Sequence, residues 1–344
     1  MRYNQYGRTG LFVSELCLGT MTFGGKGFFE YMGQVGQDDA DALLKAAVDA
    51  GVNFVDTANA YSEGLSEEIT GQAIRNLGIV RSDIVVSTKV LGPMGAGPNS
   101  RGASRVHILD QVKGSLKRLQ TDHIDIYHIH GFDPATPIEE TLRALDTCVA
   151  HGHIRYVAIS NWAAWQVAKA NGIADSRGLY RIEGMQSYYS LVGRDLEREI
   201  VPLIEAERLG LMVWSPLAGG YLSGKYRDGD AGGRRDARSF PPVDETRGGA
   251  VLDAMTPIAE AHGVSLAEVA LAWLLHKPAV TSVIVGAKRR EQLDANLAAA
   301  KLALSADDVA ALDAASALPG EYPGWMMALQ GGYRDNVLKQ PARR

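Results

Sequence analysis

The sequence predicts an α/β chain folded as a closed (β/α)8 barrel, and three observations carry that prediction. Short apolar runs alternate with amphipathic segments of helix length, the pattern of parallel βαβ units. Eight such runs occur, a number that favours a closed barrel over an open sheet. The chain of 344 residues, 46% hydrophobic and 22% charged, suits a barrel with inserted loops and can bury a large core. No linker or composition break divides it. Residues 1–344 are therefore read as one domain, with the barrel over about 14–300 and a C-terminal tail over about 317–344.

In chain order, a hairpin comes first: Tyr3 to Tyr6, a turn at Gly7-Arg8-Thr9-Gly10, then Leu11 to Val13. The eight runs follow, at Glu15–Gly19, Val52–Asp56, Ile84–Lys89, Ile124–His130, Val157–Ser160, Gly184–Ser187, Leu211–Ser215 and Ser282–Gly286. Between them lie amphipathic stretches including Asp39–Ala50, Glu67–Leu77, Ser104–Leu119, Pro137–His151 and Leu266–His276. Ser104 is placed to cap a helix, and Thr136-Pro137-Ile138-Glu139 supplies a cap, a proline at the first helical position and an early acid. Ala50-Gly51 and Leu209-Gly210 put a glycine where a helix end takes the left-handed conformation. Three loops are long: Phe23–Gln37, Leu217–Gly249 and the tail after Leu318. Their aromatic and methionine residues (Phe28, Phe29, Tyr31, Met32, Tyr322, Trp325, Met326, Met327, Tyr333) suit either the wall of a substrate pocket or local packing.

The formal charge of −5 gives no reason to expect a nucleic-acid partner. Cys17 and Cys148 lie in apolar runs and read as buried thiols. The opening Met1–Gly7 is too polar for a signal peptide, and no apolar run approaches the roughly 20 residues that cross a bilayer. The expectation is a soluble cytoplasmic protein without a membrane partner.

Chemistry concentrates at three neighbouring strand ends. Val52–Asp56 delivers a carboxylate, and Tyr61 follows five positions later in the loop. Lys89 closes an apolar strand, where an ammonium must reach the mouth or meet an acid. His130 ends the next run in the same manner. Singly, each has an ordinary reading as a turn residue, a surface phenol or a structural histidine. Converging on one face, they suit proton delivery to a carbonyl. An ammonium beside a phenol stabilises the phenolate, and a carboxylate keeps that ammonium charged. A histidine within hydrogen-bond reach orients the substrate oxygen. A further group must supply the electrons.

The chain resembles the aldo-keto reductases, a (β/α)8 TIM-barrel family that uses nicotinamide cofactors. The likeness runs from Gly10-Leu11-Phe12-Val13-Ser14 with Gly19-Thr20 to about Leu297. Its most specific parts are Asp56-Thr57-Ala58-Asn59-Ala60-Tyr61, Ser87-Thr88-Lys89, Leu116-Lys117-Arg118-Leu119 with Ile124-Asp125-Ile126-Tyr127, Ser160-Asn161, Gln186, Trp214-Ser215-Pro216-Leu217 and Gly286-Ala287-Lys288. The resemblance implies an N-terminal β-hairpin, long loops at the C-terminal face, and carbonyl reduction that is reversible with the matching alcohols. It carries the family's four catalytic positions onto Asp56, Tyr61, Lys89 and His130, with Tyr61 as general acid.

The same resemblance assigns cofactor contacts. Thr20, Met21, Asp56 and Pro216 count among the cofactor-binding residues; Ser160, Asn161 and Gln186 hold the nicotinamide carboxamide, and Trp214 stacks on its ring. Ser215, Leu217, Gly219 and Lys225 follow the pyrophosphate. Gly286 and Lys288 open a helix after the last strand, where an adenosine 2′-phosphate favours NADP(H), with NAD(H) as second choice. Gln292 and Asn296 face the adenine, although Ala295 stands where some relatives carry an acid. The implied partner is a small carbonyl or alcohol substrate, and a homo-oligomer stays open.

Three other readings remain at this stage. His128-x-His130 has strand spacing for a metal pair, as in barrel hydrolases, but no third ligand is evident and no metal is expected. A cofactor-binding regulatory subunit of the potassium-channel β type shares Trp214-Ser215-Pro216-Leu217-Ala218. Gly92-Pro93-Met94-Gly95-Ala96-Gly97 is glycine-rich but wrongly spaced for a Rossmann turn.

Overall fold

A hairpin stands below the barrel: β1 (Tyr3–Gln5) pairs antiparallel with β2 (Phe12–Ser14), Asn4 opposite Val13. The structure, a computed structural model, describes residues 1–227, 235 and 238–334. Positions 228–234, 236 and 237 of the long loop, and 335–344 of the expected tail, lie outside the described residues.

Eight parallel strands follow: β3 (Leu16–Gly19), β4 (Phe54–Asp56), β5 (Val85–Val90), β6 (Ile124–Ile129), β7 (Ile154–Ser160), β8 (Ile182–Tyr188), β9 (Gly210–Trp214) and β10 (Ser282–Val285). They close in sequence order, with β10 pairing β3. The helices that matter for the site are α1 (Gln37–Asp49), α2 (Leu65–Asn76) and α3 (Arg105–Leu119). Then come α4 (Ile138–Ala150), α5 (Ala164–Arg177), α6 (Ile200–Glu207), α7 (Glu245–His262), α8 (Leu266–Leu275) and α9 (Arg290–Ala298). Beyond them lie α10 (Ala306–Ala315) and α11 (Gly324–Gly331). All eight anticipated strands are present, with no end shifted by more than three residues. Among the described residues no single helix is long and apolar enough to cross a membrane.

The period-2 alternation of strands divides the apolar residues into two layers. Cys17, Phe54, Val85, Ile126, Ala158 and Met212 point into the barrel. Val55, Val86, Tyr127 and Val157 point outward, under the helices. Each fully buried aliphatic side chain of these layers contributes roughly 1.5–3 kcal/mol. Because Phe54, Val85 and Ile126 face inward, so do the polar residues two and four positions on. The alternation that builds the core therefore aims Asp56, Lys89 and His128 at the upper end of its interior.

Tyr6, from the hairpin, plugs the lower end. Gly184 and Gly210 make room for it: a β-carbon at Gly184 would stand 2.0 Å from the Tyr6 hydroxyl, and one at Gly210 2.9 Å from its ring. This corrects the expectation for Leu209-Gly210. The left-handed residue after α6 is Arg208 (φ 53), and Gly210 is instead the first residue of β9. Gly51 does take the left-handed conformation (φ 89). The α4 start is also corrected. Pro137 has ψ 134 and precedes the first helical residue, Ile138, while the Thr136 hydroxyl donates to Asp133 at 2.7 Å. Ser104 caps α3 as expected, accepting from the His107 N–H.

Candidate active site

The mouth of the barrel is organised by Lys89, whose ammonium is wholly buried. A buried ammonium must spend its three protons on acceptors. Here Nζ donates to Asp56 Oδ2 at 2.5 Å, to the Thr57 carbonyl at 2.7 Å and to the Tyr61 hydroxyl at 3.4 Å. Burial alone would lower its pKa, but Asp56 and then Tyr61 outweigh burial and raise it above the ordinary lysine value. Lys89 is therefore a permanent cation at physiological pH, held between a carboxylate and a phenol. The other Asp56 oxygen accepts from Ser87 Oγ at 2.9 Å and Gln186 Nε2 at 3.0 Å. Asp56, on β4, is thereby fixed from β5 and from β8.

Tyr61 enters from the short turn Tyr61–Gly64 after β4. Two non-glycine residues of that turn, Ser62 and Glu63, are left-handed (φ 50 and 58), a strained arrangement that neighbouring contacts must hold. Ser62 supplies two of them: its hydroxyl donates to the Phe23 carbonyl at 3.0 Å and accepts from the Gly25 N–H at 2.9 Å. Ser66, in the first turn of α2, adds another link to the loop after β3, donating to the Thr20 carbonyl at 2.7 Å. Tyr61 is stitched in this way to the loop after β3.

His130, just past β6, sets its ring edge-on to Tyr61, centroids 5.6 Å apart. Burial, and then the Lys89 charge, push its pKa down to about 3, so the imidazole is neutral. It can offer or accept a hydrogen bond but cannot serve as an acid at neutral pH. The four residues singled out from the sequence thus meet at one end of the barrel.

Next to them, Asn161 (φ 58) joins three strand ends. Its Nδ2 donates to the His130 carbonyl at 3.2 Å, and its Oδ1 accepts from Trp214 Nε1 at 3.0 Å. Ser160 Oγ donates to the Gln186 carbonyl at 2.9 Å. These bonds leave the second Asn161 amide proton and the Ser160 lone pairs as further hydrogen-bonding capacity at the mouth. Trp214 already has two aromatic neighbours: Tyr188 at 5.1 Å and, nearly parallel at 5.8 Å, Phe240.

The remaining sequence candidates lie in the segments that follow β3, β9 and β10. Ser215 (φ 52), Ala218 (φ 49), Gly219 (φ 69) and Gly220 (φ 92) place left-handed backbone along the loop after β9, with the Gly219 N–H donating to Ser215 Oγ at 3.1 Å. Pro216 is buried, Leu217 and Met21 half-buried, and Lys225 exposed with its ammonium 4.9 Å over the Tyr226 ring. Beyond β10, Gly286 and Lys288 are exposed at the entrance to α9, whose first residues carry no side-chain cap. Three candidates make side-chain contacts within the chain. Thr20 turns its buried hydroxyl to Ser66 at 3.0 Å. Gln292 accepts from the Lys288 N–H at 2.9 Å while Asn296 donates to the Gly286 carbonyl at 3.4 Å, so both brace the turn before α9.

Other contacts went unforeseen. Ser87 and Gln186 as supports of Asp56, and Ser62 and Ser66 as supports of Tyr61, pair residues far apart in sequence. Only Ser87 carried a signal, its shared strand face with Lys89. Of the long loops, 23–37 supplies the rim: Phe29 lies edge-on to Tyr61 at 5.1 Å, and Phe28 carries the Arg238 guanidinium 4.8 Å above its ring. Met32 is buried, and the tail helix α11 buries none of its residues. Among the described residues no group of three or more His, Cys, Asp or Glu is placed to hold a metal.

A family model described as Aldo/keto reductase family matches residues 15–317. Similar proteins include a probable voltage-gated potassium channel subunit beta from Oryza sativa subsp. japonica, 42% identical, covering 87% of this chain and 91% of that protein. The uncharacterized oxidoreductase YrpG of Bacillus subtilis (strain 168) is 38% identical, over 88% of this chain and 92% of its own. A putative aryl-alcohol dehydrogenase from Schizosaccharomyces pombe is 35% identical, over 90% and 94% respectively.

Proposed function

The chain belongs to the aldo/keto reductase family, and on that premise we propose that it is an NADPH-dependent reductase of aldehydes or ketones. The observation that carries this reading is the Lys89 ammonium bridging Asp56 at 2.5 Å and the Tyr61 hydroxyl at 3.4 Å. A phenol is a weak acid at neutral pH, and a desolvated cation against its oxygen stabilises the phenolate left when it gives up a proton. Tyr61 then delivers that proton to the carbonyl oxygen. Asp56 acts through Lys89, holding its charge and direction. Neutral His130, beside Tyr61, donates a hydrogen bond that orients the carbonyl without competing as an acid.

The residues present suit the cofactor. Ser160, Asn161 and Gln186 offer neutral polar groups for a carboxamide, and the left-handed backbone of Ser215 and Gly219 admits close approach of a pyrophosphate. Lys288 and the uncapped start of α9 suit a 2′-phosphate. NADPH held there would supply the hydride to the carbonyl carbon. The test is a panel of aldehydes, diketones, sugars and cyclic ketones with NADPH and NADH, run on the wild type and Tyr61→Phe. Turnover in Tyr61→Phe should fall by about 10²–10⁴-fold with cofactor affinity nearly intact. Equal turnover in the two proteins would overturn the assignment.

A second reading is favoured by one observation, the channel-β-subunit name of the rice relative. A regulatory subunit would bind NADPH tightly yet turn over slowly with every carbonyl tried, an outcome the same panel reads.

A further inference from the structure

Glu67 is a wholly buried carboxylate outside the barrel, in the layer between β5 and helices α2 and α3, and no step above uses it. Its Oε2 accepts from Arg118 Nε at 2.6 Å, and its Oε1 accepts from Thr88 Oγ1 at 2.5 Å. Thr88 is the neighbour of Lys89 on β5, facing outward where Lys89 faces inward. Arg118 runs directly beneath the turn that carries Tyr61. A β-carbon at Gly64, which closes that turn with φ 95, would stand 2.7 Å from Arg118 Cδ and 3.0 Å from its Nε. One ion pair therefore touches both partners of the Tyr61–Lys89 contact from behind, the phenol through its turn and the ammonium through its strand.

We propose that Glu67 and Arg118 are positioning residues for Tyr61, fixing the height of its turn over Lys89. This rests on the reductase reading for its kinetic consequence, but not for its structural one. The left-handed Ser62 and Glu63 give the turn no intrinsic preference for its conformation, so its placement depends on its contacts: those of Ser62 with the loop after β3 and, at its Gly64 end, the Arg118 side chain underneath. The planar, fork-shaped guanidinium fills that space and is aimed by Glu67. Lysine in its place keeps a charge but neither the fork nor its breadth.

The experiment compares Arg118→Lys and Glu67→Gln with the wild type. Glu67→Gln removes the charge and little volume, and its amide oxygen can still accept from Arg118, so the two variants perturb the pair from opposite sides. The expected result is a fall in kcat for carbonyl reduction of about 10- to 100-fold, as for a misplacement of the order of 1 Å, with KM and NADPH affinity little changed. In a Tyr61→Phe background, Arg118→Lys should cause no further loss, because both act on one contact.

A readout free of turnover is the Tyr61 phenol itself, labelled with ¹³C at the ring ζ-carbon and assigned by its loss in Tyr61→Phe. Its titration midpoint should move by about half a pH unit or more in Arg118→Lys as its distance to Lys89 changes. If thermal stability falls while kcat and the Tyr61 midpoint hold, the pair is only a tie between helices and the proposal is overturned. A wild type without turnover would refute the reductase reading alone; the Tyr61 midpoint would still decide the positioning, a shift supporting it and no shift ending it.

Discussion

Replacing Asp56 by asparagine is the sharpest perturbation of the site, because it removes a charge and little volume. The carboxylate is 3% exposed and the Lys89 ammonium wholly buried, 2.5 Å apart. The asparagine oxygen can still accept from Ser87 and Gln186, but its amide would face the ammonium as a second donor. Lys89 would keep only the Thr57 carbonyl and the Tyr61 hydroxyl. Stranding one charge of a buried pair costs about 3–5 kcal/mol. For a chain of this length, at about 2 °C per kcal/mol, the unfolding temperature should drop by roughly 6–10 °C near neutral pH.

The pH dependence separates this cause from simple loss of packing. In the wild type the Lys89 pKa is raised, so its contribution to stability is complete below the ordinary lysine value and is lost as pH rises through the folded value. In Asp56→Asn burial acts with no carboxylate to oppose it, and the Lys89 pKa falls below the ordinary value. The folded variant then pays to keep its proton in acid and sheds it earlier on the way to alkali. Its deficit should be full near pH 6 and shrink by about pH 9, as measured by urea unfolding at each pH. A deficit that is the same at both values, or one below about 1 kcal/mol as for a surface pair, would refute the reasoning.

Three further outcomes follow from the same geometry. Lys288→Ala should weaken NADPH by about 10- to 100-fold and leave NADH nearly untouched, since a charge-assisted bond is worth about 1.5–3 kcal/mol; equal weakening in a fluorescence titration would remove the phosphate contact. The His130 ring should titrate far below the usual histidine range, near pH 3, so that stability drains as pH falls from about 6.5, where the unfolded chain takes up a proton that the folded site refuses. An NMR midpoint near the ordinary value would contradict its burial beside Lys89. Gly71→Ala should destabilise by roughly 1–3 kcal/mol, because the added carbon would stand 2.4 Å from the Leu119 carbonyl where α2 meets α3. An unshifted urea midpoint would mean that the helices can part at no cost.

Periodicity alone carried the fold a long way. The alternation of Phe54 with Asp56, and of Val85 with Ser87 and Lys89, is written in consecutive residues, and a period of two decides which of them share a face. Local signals failed where a residue's role was set from elsewhere. Gly210 looks like a helix end until Tyr6 is seen against it, and Pro137 looks helical until its ψ is known. The aromatic loops divided in the same way. Phe29 meets Tyr61, whereas the tail aromatics Tyr322, Trp325 and Tyr333 are exposed, and nothing in their spacing distinguished the two cases.

The alternation of strands and helices and the polar residues that close β4, β5 and β6 follow from short-range pattern, because strand alternation and βα connection are properties of neighbouring residues. What neighbouring residues do not contain is distance. That Lys89 spends its protons on Asp56, Thr57 and Tyr61, that Gln186 reaches across the mouth to the same carboxylate, and that Glu67 and Arg118 lie beneath the Tyr61 turn are pairings over tens to more than a hundred residues. Closure of the barrel brings these groups together, and burial then forces each to find a partner.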